Sequence, residues 1–165
     1  MTRLNKIRKR IADSKRLTVG LKTACTVLSA LVAAIFAFAI TVLLVFSEYE
    51  PAMKLALSAA VGFILVTLVR KLINAPRPYE LLDFYNEPPK NKKGASFPSR
   101  HVYSAFCIAT LMCAVSTLFA AVLFFFAVCI SVLRVLLGIH FIRDVLCGAL
   151  IGAIAGAIGI ATLSI

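Results

Sequence analysis

Three short stretches of the sequence concentrate side chains that can act on a phosphate. The first is Arg70-Lys71-Leu72-Ile73-Asn74-Ala75-Pro76-Arg77-Pro78, the second is Ser96-Phe97-Pro98-Ser99-Arg100-His101, and the third holds Arg134, His140 and Asp144. Both histidines of the chain are in this set. Arg77 and Arg134 are permanent cations whose planar fork matches phosphate oxygens. Pro98 suits a helix start, because its missing N–H costs nothing there. Ser99, Arg100 and His101 then fall in the first turn, where unpaired amides and the helix dipole favour an anion. His140 and Asp144 are four apart and stack on one face if that segment is helical. A carboxylate so placed can hold one ring nitrogen and leave the other free to attack phosphorus. His101, on another segment, can protonate the leaving oxygen. No carboxylate cluster or Cys/His set points to a metal or other cofactor, so the arginines are expected to stabilise the charge that develops. A single Arg or His at the end of a membrane span is more often an anchor or a hydrogen-bonded structural residue. The weight lies in the combination, in this order, across three segments.

The elements that must position these residues are apolar. The chain has 165 residues, of which 61% are hydrophobic and only 15% charged. A soluble domain carries roughly 45–50% apolar and about 25% charged residues. This composition excludes a disordered chain, a nucleic-acid-binding domain and a soluble enzyme, and it suffices for about five helical spans of about 20 residues each. The expected architecture is all-α, an integral membrane bundle of about five transmembrane helices preceded by a basic amphipathic segment. Residues 1–18 form that segment, with Leu4, Ile7, Ile11 and Thr18 at helical spacing among seven cations, lying on the membrane surface. Residues 19–165 form one membrane domain, with spans near 23–46, 52–69, 99–115, 118–138 and 145–165 and a polar loop over 70–98. The apolar run after the basic segment is too long for a cleaved signal peptide. The five cysteines lie singly in apolar runs, none in a C-x-x-C pair, and read as packing residues.

Two features leave alternatives open. Val102 to Leu133 is a charge-free stretch of 32 residues, about 48 Å as one helix at 1.5 Å per residue or else a hairpin turning near Ser116-Thr117. Gly148, Gly152 and Gly156 repeat along one face of the last span, a pattern that lets helices approach closely in lipid. That face serves packing within the chain or a homodimer.

The three segments together resemble the type 2 phosphatidic acid phosphatase family, which shares its site with vanadium haloperoxidases. The family's first motif is a Lys, six residues, then Arg-Pro; here Arg77-Pro78 matches, Arg70 stands at the Lys position and Lys71 is one residue off. The second is Pro-Ser-Gly-His; Pro98, Ser99 and His101 match and Arg100 replaces the Gly. The third is Ser-Arg, five residues, His, three residues, Asp; Arg134, His140 and Asp144 match and Leu133 replaces the Ser. The resemblance implies His140 as a nucleophile forming a phosphohistidine, His101 as the acid and Asp144 as the group that orients His140. Arg70, Lys71, Arg77, Ser99, Arg100 and Arg134 would bind the substrate phosphate, with no metal. It implies a membrane phosphatase acting on a lipid phosphate such as phosphatidylglycerol phosphate, phosphatidic acid or undecaprenyl diphosphate. It also favours the hairpin, since one long helix would carry the second and third motifs to opposite membrane faces.

All but Lys54 of the 18 Lys and Arg then lie on one side of a five-span chain, which the positive-inside rule places in the cytoplasm. Family members commonly have six spans and an outward-facing site; a basic segment in place of the first span would turn the site inward. Competing readings from other classes are a catalytically weak scaffold that binds anionic lipid or a protein partner, for which the three departures argue, and a small transporter or channel, against which the clustering of cations at one face argues.

Overall fold

The computed structural model describes residues 2–85 and 93–162. Part of the expected loop, at 86–92, and the end of the last expected span, at 163–165, lie outside them. The described residues form helices and connecting turns: α1 Arg3–Asp13, α2 Lys15–Val45, α3 Tyr49–Ile73, the single turn α4 Pro78–Leu81, α5 Arg100–Leu111, α6 Thr117–Leu136 and α7 Ile142–Thr162. Four of these are long and apolar enough to cross a membrane, namely α2, α3, α6 and α7. They expose large apolar side chains such as Phe38, Leu57, Leu118, Phe125, Leu146 and Leu150. In water such a surface would aggregate; against lipid it is what a span requires. The chain is a multi-pass membrane protein.

The basic segment is not one element. α1 ends at Asp13, and Ser14 restarts the chain as α2, its Oγ accepting the Leu17 amide at 3.4 Å. Thr18 therefore belongs to α2, and its hydroxyl bonds back to the Ile11 carbonyl at 2.7 Å, fixing the corner. α3 starts at Tyr49, earlier than expected. Pro51 sits in its first turn, where no intrahelical partner for its nitrogen is needed.

α5 fills the centre. Its 12 residues span about 18 Å, and the 3₁₀ turn Met112–Ala114 that follows adds about 6 Å, short of the roughly 30 Å of hydrocarbon. It is shielded instead of lipid-facing: Val102, Tyr103, Ala105, Cys107, Ala109 and Leu111 are all buried. The turn satisfies its own backbone in the membrane interior, with Val115 and Ser116 amides on the Met112 carbonyl at 3.0 and 2.8 Å. The charge-free stretch is thus two helices, α5 and α6, joined at Val115–Ser116.

α5 packs most extensively on α7, then on α6 and α3. The glycine face of α7 makes this possible. A Cβ at Gly148 would stand 2.7 Å from the Ser99 carbonyl, one at Gly152 would run into the Tyr103 carbonyl, and one at Gly156 would come 2.8 Å from the Cys107 carbonyl. All three glycines are buried against α5 of the same chain. Of the two expected uses of this face, packing within the chain is the one seen among the described residues.

Candidate active site

The start of α2, the end of α3, the start of α5, the end of α6 and the start of α7 lie at one end of the bundle, and the three chemical segments meet there. A cavity of about 80 Å³ is bordered by Arg70 and Lys71 from α3, Arg77 from the following loop, Arg100 and His101 from α5, and by Arg134 and His140.

The turn that carries His140 is built by the end of α6. Gly138, at φ +67°, reverses the chain in a conformation that other residues enter only with strain. The Gly138 amide then bonds the Val135 carbonyl at 3.0 Å and the Ile139 amide the Arg134 carbonyl at 3.1 Å. This pairing closes a helix C-terminus around a left-handed glycine. His140 follows, its amide 3.3 Å from the same Arg134 carbonyl. α7 starts only at Ile142. His140 and Asp144 are therefore not stacked positions of one helix. They face each other across a helix start, with Nδ1 to Oδ2 at 3.7 Å, too long for a hydrogen bond. Ser96 stands between them. Its hydroxyl donates to Asp144 Oδ2 at 2.6 Å and lies 3.3 Å from His140 Nδ1. A hydroxyl that donates to a carboxylate can accept from a ring N–H. This arrangement favours the proton on Nδ1 and leaves Nε2 with its lone pair. The Phe141 amide also donates to Asp144 Oδ2, at 3.0 Å.

Burial is the first cause of the state of His140. It is 1% exposed, and enclosure with the cations Arg77, Arg70 and Arg134 nearby pushes its imidazole down to about 4, although the neighbouring Asp144 carboxylate opposes the shift. The ring is neutral across the physiological range.

The arginines divide their work between holding the loop and lining the cavity. Arg70 donates Nη1 to the Pro98 carbonyl at 2.9 Å and Nη2 to the Ala95 carbonyl. Arg77 donates Nε to the Gly94 carbonyl at 2.9 Å. The Asn74 Oδ1 accepts the Ala95 amide at 3.1 Å, and the Ser96 amide bonds the Ala75 carbonyl at 2.8 Å. The first two chemical segments are thus sewn together before any ligand binds. Arg134 is 6% exposed, and its Nε has no hydrogen-bond partner among the described residues. Arg100 stacks on the Phe63 ring at 4.9 Å from its centroid. Lys71 is exposed at the rim.

At the start of α5 the expectation needs one correction. Ser99 is the residue that precedes the helix, and its amide is taken by the Asp144 carbonyl at 2.9 Å. That amide is not open to an anion. The Ser99 hydroxyl is buried with no partner among the described residues, and it can serve instead. Leu133, at the position of the missing Ser, packs into the apolar core.

Sequence reasoning gave no individual role to two residues that the structure brings to the site. Ser96 stood in the second segment, but nothing local marked it as the bridge to Asp144. Arg8 stood among the surface cations of the basic segment. It is 3% exposed, and it donates Nε to the Val135 carbonyl at 2.9 Å and Nη2 to the His140 carbonyl at 3.2 Å. Beside it, Ile11 packs with Tyr79, Leu137 and Ile139 in a small second core beneath the His140 turn.

Comparison with known proteins gives a consistent picture. The family model described as PAP2 superfamily matches residues 51–164. The crystal structure of Aquifex aeolicus LpxE is similar at a TM-score of 0.72 and 30% identity, over 94% of this chain and 93% of that one. The crystal structure of a transmembrane PAP2 type phosphatidylglycerolphosphate phosphatase from Bacillus subtilis is similar at a TM-score of 0.71 and 17% identity, over 98% of this chain and 87% of that one. A comparison with the curated proteins returned no match.

Proposed function

The chain belongs to the PAP2 superfamily and is a membrane lipid phosphatase of that type, and from that premise we propose that it hydrolyses a lipid phosphate through a phosphohistidine on His140, without a metal. The observation that carries this reading is the meeting of all three segments around one small cavity lined by four arginines and both histidines. Nε2 of His140 attacks phosphorus as the bond to the lipid oxygen breaks, and His101 gives that oxygen its proton. Water then attacks the phosphohistidine, with His101 taking a proton back, and inorganic phosphate leaves. Ser96 and Asp144 hold Nδ1–H and balance the positive charge that the ring gains. Arg70, Lys71, Arg77, Arg100, Arg134 and the Ser99 hydroxyl stabilise the phosphoryl oxygens.

The substrate is one of phosphatidylglycerol phosphate, phosphatidic acid or undecaprenyl diphosphate, its tail in the bilayer and its headgroup at the arginine-lined end. The name of the B. subtilis structure supports keeping the first in the set. The charge asymmetry supports a cytoplasmic site, the side on which the first two lipids arise. The test is phosphate release by purified protein in detergent from each lipid, with EDTA present, beside His140→Ala. Release by the wild type alone, undiminished by EDTA, is expected. Release by both would point to another nucleophile. Release by neither, with lipid still bound, would favour the scaffold.

A further inference from the structure

We propose that Lys22 and Arg134 frame a second anion subsite on the leaving-group side of the site, which selects lipid phosphates whose leaving group itself carries a phosphate. This rests on the phosphatase reading above and refines it. Beside the cavity of about 80 Å³ lies a second one of about 240 Å³, bordered by Lys22, Thr26 and Ser29 of α2, by His101 and by Arg134. The two share His101 and Arg134, while His140, Arg70 and Arg77 border only the first. His140 attacks from one side of the phosphorus and His101 serves the oxygen that departs. Two cavities lie beyond His101, a largely apolar one of about 190 Å³ bordered by Phe63, Ala105 and Ile108 and the one at Lys22; the leaving group's apolar part suits the first and its charged part the second.

The chemistry of the cavity at Lys22 suits an anion. Lys22, Thr26 and Ser29 share one face of α2, at helical spacing; the Thr26 and Ser29 hydroxyls donate to the Lys22 and Cys25 carbonyls at 3.0 and 2.7 Å, so the Lys22 ammonium is the donor that α2 offers. Lys15 and Arg16, at the start of α2, are exposed, whereas Lys22 is half-buried, about 10 Å further along the axis at 1.5 Å per residue. Among the described residues, no acidic one borders the cavity to balance it. Arg134 supplies the independent sign: a guanidinium 6% exposed, on the wall between both cavities, with an Nε that has no partner among the described residues. Leaving such a donor buried and unpaired is costly, and an anion in either cavity would relieve it, so one guanidinium can serve the transferred phosphate and the second anion together.

The three candidate lipids differ on this point. Phosphatidic acid releases diacylglycerol, which is uncharged. Phosphatidylglycerol phosphate releases a phosphodiester, and undecaprenyl diphosphate releases a phosphomonoester. The experiment measures kcat and KM for the three lipids in mixed micelles with the full-length wild type, Lys22→Gln, Lys22→Arg and Lys15→Gln. The wild type is expected to prefer at least one lipid with an anionic leaving group over phosphatidic acid. Lys22→Gln should reduce that preference by about ten- to hundredfold, the factor carried by one hydrogen bond to a charged group, through KM. Lys22→Arg should restore it, and Lys15→Gln should leave it intact. Whichever anionic lipid loses most names the source of the second phosphate. A wild type indifferent to the leaving group, or a Lys22→Gln effect equal on all three lipids, would overturn the subsite. Absence of release from all three by the wild type, or release that survives His140→Ala, would overturn the phosphatase reading instead.

Discussion

The His140 imidazole is enclosed on nearly every side, and the cations of Arg70, Arg77 and Arg134 stand close to it. Both influences disfavour a positive charge on the ring. Attack on phosphorus requires the neutral ring, and a group whose pKa is lowered to about 4 stays neutral as pH falls through the range in which an ordinary histidine would protonate. The acid limb of kcat/KM against pH is therefore expected near pH 4 and not near 6.5. An alkaline limb should follow from loss of the His101 proton, giving a bell. A rate that rises steadily from pH 5 to 9 would contradict both assignments. Ser96 explains how a histidine and a carboxylate at 3.7 Å still act as a pair: the hydroxyl bridges the gap and fixes the tautomer. Its partner lies 48 positions away, so no local pattern could reveal it.

At the scale of elements, two short-range contacts hold the site together. Arg8 joins α1 to the carbonyls of Val135 and His140. Arg8→Gln should lower kcat about tenfold by loosening the His140 turn and also lower the melting temperature in detergent, because two carbonyls lose a charged donor. Arg8→Lys should not fully rescue it, because one ammonium does not reproduce the planar fork that reaches both carbonyls. Unchanged kcat in Arg8→Gln would remove α1 from the account of the site. The α5–α7 contact is the second. Gly152 faces the Tyr103 carbonyl, so Gly152→Leu must push apart the helices that carry His101 and Asp144. A loss of about 1–3 kcal/mol is expected from such overpacking, read as a lower melting temperature together with reduced phosphate release. Either effect alone would show that the two helices are less coupled than their contact implies.

Across the molecule, the cations of the described residues gather at the end of the bundle where the site forms, and among them only Lys54, paired with Glu50 at 2.5 Å, lies at the other. By the positive-inside rule, that asymmetry supports the proposed cytoplasmic site. Lys93 is exposed beside the site. In a background without the five native cysteines, Lys93→Cys is expected to resist an impermeant thiol reagent in intact cells and to react once the membrane is opened. Labelling of intact cells would place the site outside.

The family, the helical membrane architecture and the residues that gather at the site were legible in the sequence, because each depends on side-chain type at a fixed local spacing. Arg77-Pro78, the Pro98–His101 run and the Arg134–Asp144 set name their chemistry within a few residues. Hydrophobic runs of span length leave the backbone only one regular way to satisfy its own hydrogen bonds in lipid. What the sequence left open were matters of partner. The α7 glycine pattern shows that a helix comes close, but only the fold shows that the helix is α5. The basic segment shows an amphipathic helix, but seven similar cations do not reveal which one turns inward. The division of the arginines between loop carbonyls and the open cavity, the Ser96 bridge and the cavity at Lys22 all depend on distances between residues far apart in the chain, and only the tertiary structure sets those distances.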